Sequence, residues 1–124
     1  MMRLWLILGA TNAFLSVAAG AFGAHALRAR LAPDLLAIFE TGARYHMYHS
    51  LGLIAIGLLA QARPSPLLNG AGWAMLAGIV LFSGSLYALA LSGVRALGAI
   101  TPLGGRGFLA GWLLFALAAW RQTG

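Results

Sequence analysis

Four apolar runs, separated by short connections carrying Pro, Gly and Arg, leave this chain few ways to fold. They cover residues 4–27, 45–60, 70–92 and 100–120. A helical span needs about 20 apolar residues, and lipid holds no water to satisfy an open backbone, so each run must close its hydrogen bonds within a helix. The pattern predicts an all-α integral membrane protein. Its 124 residues form a single membrane domain built as a four-transmembrane-helix bundle. Composition agrees: 61% of residues are hydrophobic and 8% charged, with a mean hydropathy of +0.88. Soluble domains carry about a quarter charged residues.

The first run resembles a signal peptide in having Arg3 before an apolar core and small residues in SVAAGAFGA. It is long enough to span, and is read as retained. The connection RARLAPDLLAIFETGA suits a short interfacial amphipathic helix over residues 33–43. Pro33 fits a first turn, Asp34 sits near the positive helix end, and Leu35, Ile38, Phe39 and Gly42 share one face. ARPSPLLNG reads as a turn, and Thr101 with Pro102 as the cap and first position of the fourth helix.

The net charge of +6 comes from eight arginines, one Asp and one Glu. The arginines are scattered singly at the ends of apolar runs and not gathered in a patch, which excludes nucleic acid as the partner and points to anionic lipid headgroups. With no cysteine, disulfides and thiolate chemistry are excluded. Four alternating spans place Arg28, Arg30, Arg44, Arg95 and Arg106 on one face, against Arg3, Arg63 and Arg121 on the other. The arginine rule makes the richer face cytoplasmic, with both termini outside.

The polar residues at the mouth of the second run form the candidate site. His25, Glu40, Arg44, His46, His49 and Arg95 are expected as one cluster, with Glu40 paired to Arg44 or Arg95. His46 and His49 lie about 60° apart around a helix, so with His25 they form the candidate metal ligands, although no metal signature is present and no cofactor is predicted. The competing reading is a set of hydrogen-bonded interfacial histidines. Thr101 and Arg106 form a candidate anion site at a helix N-terminus. Asn12 is expected to face Ser83 or a backbone carbonyl, with Ser85 nearby. Gly20, in the Ser16, Gly20, Ala24 stripe, and the Gly107 and Gly111 pair mark close packing. Trp5, Trp73, Trp120, Tyr45 and Tyr48 read as interface anchors.

The runs GAFGAHAL, TGARYHMYHSL, LFSGSLYALAL and GAITPLGG, in this order and at these spacings, resemble the YgdD-like family of small inner-membrane proteins, filed as a domain of unknown function. The match covers nearly the whole chain. It implies a four-span protein of the plasma membrane, the bacterial inner membrane, and brings no established activity. From the residues, no nucleophile or cofactor motif supports an enzyme. Two functions remain: a non-catalytic accessory or self-associating bundle, with itself or another membrane protein as partner, or an oligomer conducting an ion or small solute past Asn12, Ser83 and Ser85.

Overall fold

The computed structural model describes residues 2–122, and everything regular in them is helical. Helix α1 covers Met2–Phe22 and ends in a π-helical turn, Gly23–Leu27. Helix α2 runs from Pro33 to Ala62, with Pro33 at its start and Asp34 in its first turn. After a turn at Arg63 and Pro64, the Ser65 hydroxyl caps α3, Pro66–Gly78, by accepting from the Leu67 amide at 3.1 Å. A second π turn, Ile79–Ser83, carries α3 into α4, Gly84–Ser92. Gly93 ends that rod with φ +75°, a left-handed conformation that glycine adopts without a Cβ penalty. A 3₁₀ turn, Arg95–Ala99, leads into α5, Thr101–Gln122.

Three helical stretches are long and apolar enough to cross a membrane: Met2–Leu27, Pro66–Ser92 and Arg95–Arg121. The rod Pro33–Ala62 is outside that set, since its first twelve residues carry Asp34, Glu40 and Arg44 and the stretch from Tyr45 onward dilutes Leu and Ile with Tyr45, His46, Tyr48, His49 and Ser50. The expected interfacial helix over residues 33–43 is not a separate element. It and the second apolar run form one uninterrupted helix through Gly42. Gly42 brings two helices together and does not break one: a Cβ there would lie 3.1 Å from the Tyr87 ring.

Helix α1 packs mainly along α2, and α3 mainly along α5, while α2 also meets α4 and the second π turn. The core between them holds Trp5, Leu53, Ile56, Leu68 and Met75, all fully buried. A smaller cluster, Leu27, Phe39 and Ala90, closes the end near the α1–α2 connection. Glycine sets the spacing of α5 against α3 and the second π turn. A Cβ on Gly104 would fall 2.2 Å from the Phe82 amide nitrogen, and one on Gly111 would fall 2.6 Å from Met75. Lipid tails are as apolar as leucine, so close backbone approach of this kind replaces the hydrophobic effect as the force joining helices. Gly107 and Gly111 thus serve contacts within the chain. Gly20 does not, because a Cβ there would meet nothing within 4 Å.

Candidate functional site

Helix α2 carries the polar centre. His46 is buried and bonded through both ring nitrogens: Nε2 lies 2.9 Å from Asn12 Oδ1 on α1, and Nδ1 lies 2.9 Å from the Tyr87 hydroxyl on α4. Asn12 Nδ2 donates to the Leu8 carbonyl at 2.8 Å, which leaves Oδ1 as a pure acceptor. His46 therefore carries its proton on Nε2 and accepts from Tyr87 at Nδ1. One turn on, His49 is arranged the opposite way. Its Nδ1 lies 2.7 Å from the Tyr45 carbonyl and must donate, while Nε2 accepts from Trp112 Nε1 at 3.0 Å. Each nitrogen of both imidazoles is engaged.

Serines complete the centre. Ser16 donates to the Ala43 carbonyl and Ser83 to the Gly42 carbonyl, each at 2.8 Å, and Ser50 donates to the His46 carbonyl at 2.6 Å. Ser85 and Thr101 bond each other at 2.6 Å, tying α4 to α5. At the far end Trp5 Nε1 donates to Asn69 Oδ1 at 3.1 Å. Among the described residues, no buried side-chain nitrogen or oxygen lacks a partner. Unsatisfied polar atoms are costly away from water, so this closure is what lets hydroxyls, amides and imidazoles sit inside the bundle.

The single charged cluster expected from sequence is not formed. His25, Glu40 and Arg44 are exposed, while His46 and His49 point into the bundle. Arg95 pairs with Asp34 at 2.6 Å and not with Glu40, and Glu40 does not pair with Arg44. The Arg95 guanidinium holds the Asp34 carboxyl below the usual carboxylate range. Both partners are more than half exposed, so the pair locates the 3₁₀ turn beside the start of α2 more than it stabilises the fold. No three His, Asp or Glu side chains converge among the described residues, so the His25, His46 and His49 metal set is not assembled.

Other expectations shift as well. Of the two partners expected for Asn12, it bonds a backbone carbonyl, that of Leu8 on its own helix, while His46 takes the place of Ser83. Thr101 is engaged by Ser85 and does not open an anion site with Arg106, whose exposed side chain borders a groove instead. Trp5 is fully buried and is no interface anchor, whereas Trp73 is half exposed and packs edge-on against it with ring centroids 4.9 Å apart. Tyr87, Asn69, Phe108 and Trp112 were missed as site residues. One signal was present: Asn12 and Ser16, and Ser83 and Tyr87, are each four apart, marking one polar face on each of two apolar helices.

Between α2 and α5 lies a groove of about 670 Å³. His49 and Phe108 stack at its base with centroids 3.4 Å apart, and Tyr45 lies against Phe82 at 4.8 Å. Its outer wall is Tyr48, Leu109 and Trp112, and Arg106 is its charged residue.

A family model described as a protein of unknown function, DUF423, matches residues 19–105. The chain belongs to the DUF423 family. It is also 50% identical over 123 residues to a UPF0382 membrane protein of Staphylococcus epidermidis, covering 99% of this chain and 100% of the relative. The UPF0382 membrane protein YwdK of Bacillus subtilis is 49% identical over 119 residues, covering 95% and 97%. Another UPF0382 membrane protein, from Staphylococcus aureus, is 45% identical over 123 residues, covering 99% and 100%. The resemblance drawn from the motifs thus stands as membership of the DUF423 membrane family, without support for the YgdD-like name. No solved structure matches the chain. The family match takes in His46, His49, Ser83, Ser85 and Tyr87 and ends at Gly105, the residue before Arg106.

Proposed function

We propose that this DUF423 protein is a non-catalytic, non-conducting four-span bundle of the bacterial inner membrane that serves as an accessory to other membrane components. The observation that carries this is the closed polar centre. Asn12, Ser83 and Ser85, the residues that would line a pathway, each bond to protein groups of neighbouring helices or of their own turn. A conducting path needs polar groups turned toward water, with binding weak enough to release the solute. Here they are turned toward one another.

The fourth span is α2. It lies antiparallel along the whole of α1: Gly57 meets Leu6, Gly9 meets Ile54, Ser16 bonds Ala43 and Gly23 meets Phe39. If α1 crosses the bilayer, a helix pressed along its full length crosses with it. Of the residues that lower the hydropathy of α2, His46, His49 and Ser50 are buried against neighbouring helices, while Tyr45 and Tyr48 are exposed, where an amphipathic ring suits the membrane boundary.

The test is a flux assay on proteoliposomes reconstituted with the full chain, using a pH dye for protons, a potassium-sensitive dye and osmotic shrinkage for small solutes. The expected result is leakage equal to protein-free vesicles in all three. A flux that rises with protein content and falls in Asn12→Leu would replace this reading with the conducting one.

A further inference from the structure

We propose that the groove between α2 and α5 is a binding site for an anionic phospholipid, with its phosphate on Arg106 and an acyl chain laid against Tyr45, Phe82 and Trp112. The inference rests on the membrane embedding of α5 and is independent of whether the bundle conducts.

The walls are suited to a hydrocarbon chain. Leu109 and Trp112 are 73% and 43% exposed on a helix apolar enough to span, so this surface faces lipid. Its floor is rigid and aromatic, because His49 stacks on Phe108 and is fixed by Trp112, and Phe82 packs on Phe108 with centroids 5.2 Å apart. The volume of about 670 Å³ falls in the range of about 300–1,000 Å³ typical of small-molecule sites.

The charge decides which lipid. The chain holds eight arginines against two acids, and Asp34 is taken by Arg95. Among the described residues no ion pair reaches Arg106, so none of them compensates its guanidinium. Arginine matches phosphate oxygens through its fork of donors. Depth fits as well. Arg106 lies five residues into α5, about 8 Å along the axis, and Trp112 about 9 Å deeper. The arginine can reach back toward the headgroups while its stem stays against the apolar wall. A phosphate at that level leaves the acyl chain to run down the groove toward Trp112. Pro102 and Gly105, which also line the groove, put no polar side chain in competition with the phosphate.

The test uses the full chain in mild detergent and native mass spectrometry with phosphatidylglycerol or phosphatidylcholine of matched acyl chains. Phosphatidylglycerol should be retained roughly fivefold more, the weight of one basic side chain at a membrane surface. Arg106→Gln should abolish that preference, Arg106→Lys should keep part of it, and Arg121→Gln should leave it unchanged. Gly105→Leu separates groove from charge: Gly105 lines the groove and a Cβ there meets only Phe82 Cδ2 at 4.0 Å, so the backbone has room for a side chain, and an unchanged unfolding temperature is the control that the fold is kept. It should reduce retention of both lipids while Arg106 is intact. Equal retention of the two lipids by the native chain, or indifference to Arg106→Gln, overturns the proposal. Displacement of the lipid by glycerol 3-phosphate at millimolar concentration would assign the site to a free anion instead. The chain has no cysteine, so Leu109→Cys provides a unique reporter. Efficient disulfide pairing of two copies through it would show the groove covered by a second protomer and would also overturn the proposal.

Discussion

At the residue scale, the centre of the molecule is two histidines one helical turn apart, held in opposite tautomers by their partners. His46 keeps its proton on Nε2 because Asn12 offers an oxygen there, and His49 keeps its proton on Nδ1 because the Tyr45 carbonyl does. Nitrogen-15 spectra of histidine-labelled protein should show one Nε2–H and one Nδ1–H neutral ring besides the exposed His25. Two buried rings in the same tautomer would contradict this geometry. Tyr87→Phe removes the donor to His46 Nδ1 and should lower stability by about 0.5–1.5 kcal/mol. Trp112→Phe should do the same to His49, while Tyr48→Phe, at an exposed position, should change little. Thermal unfolding in detergent measures all three. His46 and His49 stood out in the sequence because imidazole is rare inside apolar runs. Their partners did not, because Tyr87 and Trp112 read as ordinary membrane aromatics, and the rotation of one helix against another is not written in either one's periodicity. Charge misled the grouping for a related reason. Glu40 and Arg44 are near His46 and His49 in sequence and His25 was expected at the same membrane face, but all three are turned outward.

At the element scale, glycine divides into positions that hold helices together and positions that do not. Gly104 admits no Cβ, since the obstacle at 2.2 Å is the Phe82 backbone nitrogen, which cannot rotate away. Gly104→Ala should force α5 from the π turn and cost about 1–3 kcal/mol, the range for overpacking. Gly20→Ala meets open space and should be neutral or stabilising by up to about 1 kcal/mol through helix propensity. Equal effects of the two substitutions in thermal unfolding would mean that α5 and the second π turn are not packed as described. The sequence marked Gly107 and Gly111 by their four-residue spacing. It marked Gly20 by the same rule and was misled, because a small-residue stripe shows that a close approach is allowed without showing that a neighbour arrives. The unbroken α2 was hidden for a physical reason as well: its polar and apolar halves look like separate elements when each is matched to a solvent, yet backbone hydrogen bonding continues through the change.

At the scale of the whole molecule, helix lengths and end contacts set the topology. Thirty residues of α2 extend about 45 Å, against a hydrocarbon thickness of about 30 Å, so about 15 Å would project if α2 is the proposed fourth span. The pairing of Asp34 with Arg95 puts the start of α2 beside the turn before α5, and the bond from Trp5 to Asn69 puts the start of α1 beside the start of α3. Two ends therefore exist, one holding the connections around Arg30 and Val94 and the other holding Pro64. All three positions are exposed, and the native chain has no cysteine to interfere with labelling. Single variants Arg30→Cys, Pro64→Cys and Val94→Cys should therefore divide when intact cells meet an impermeant maleimide, with residues 30 and 94 behaving alike and residue 64 behaving oppositely. Arg28, Arg30 and Arg95 crowd the first end, so the expectation from the positive-inside rule is that this end is cytoplasmic and that Pro64→Cys is the variant that reacts. Reaction of residues 30 and 94 alone would keep the four spans and invert them. Equal reaction at all three would mean that α2 stays on one side, and α1 could then not cross as a partner packed along its entire length.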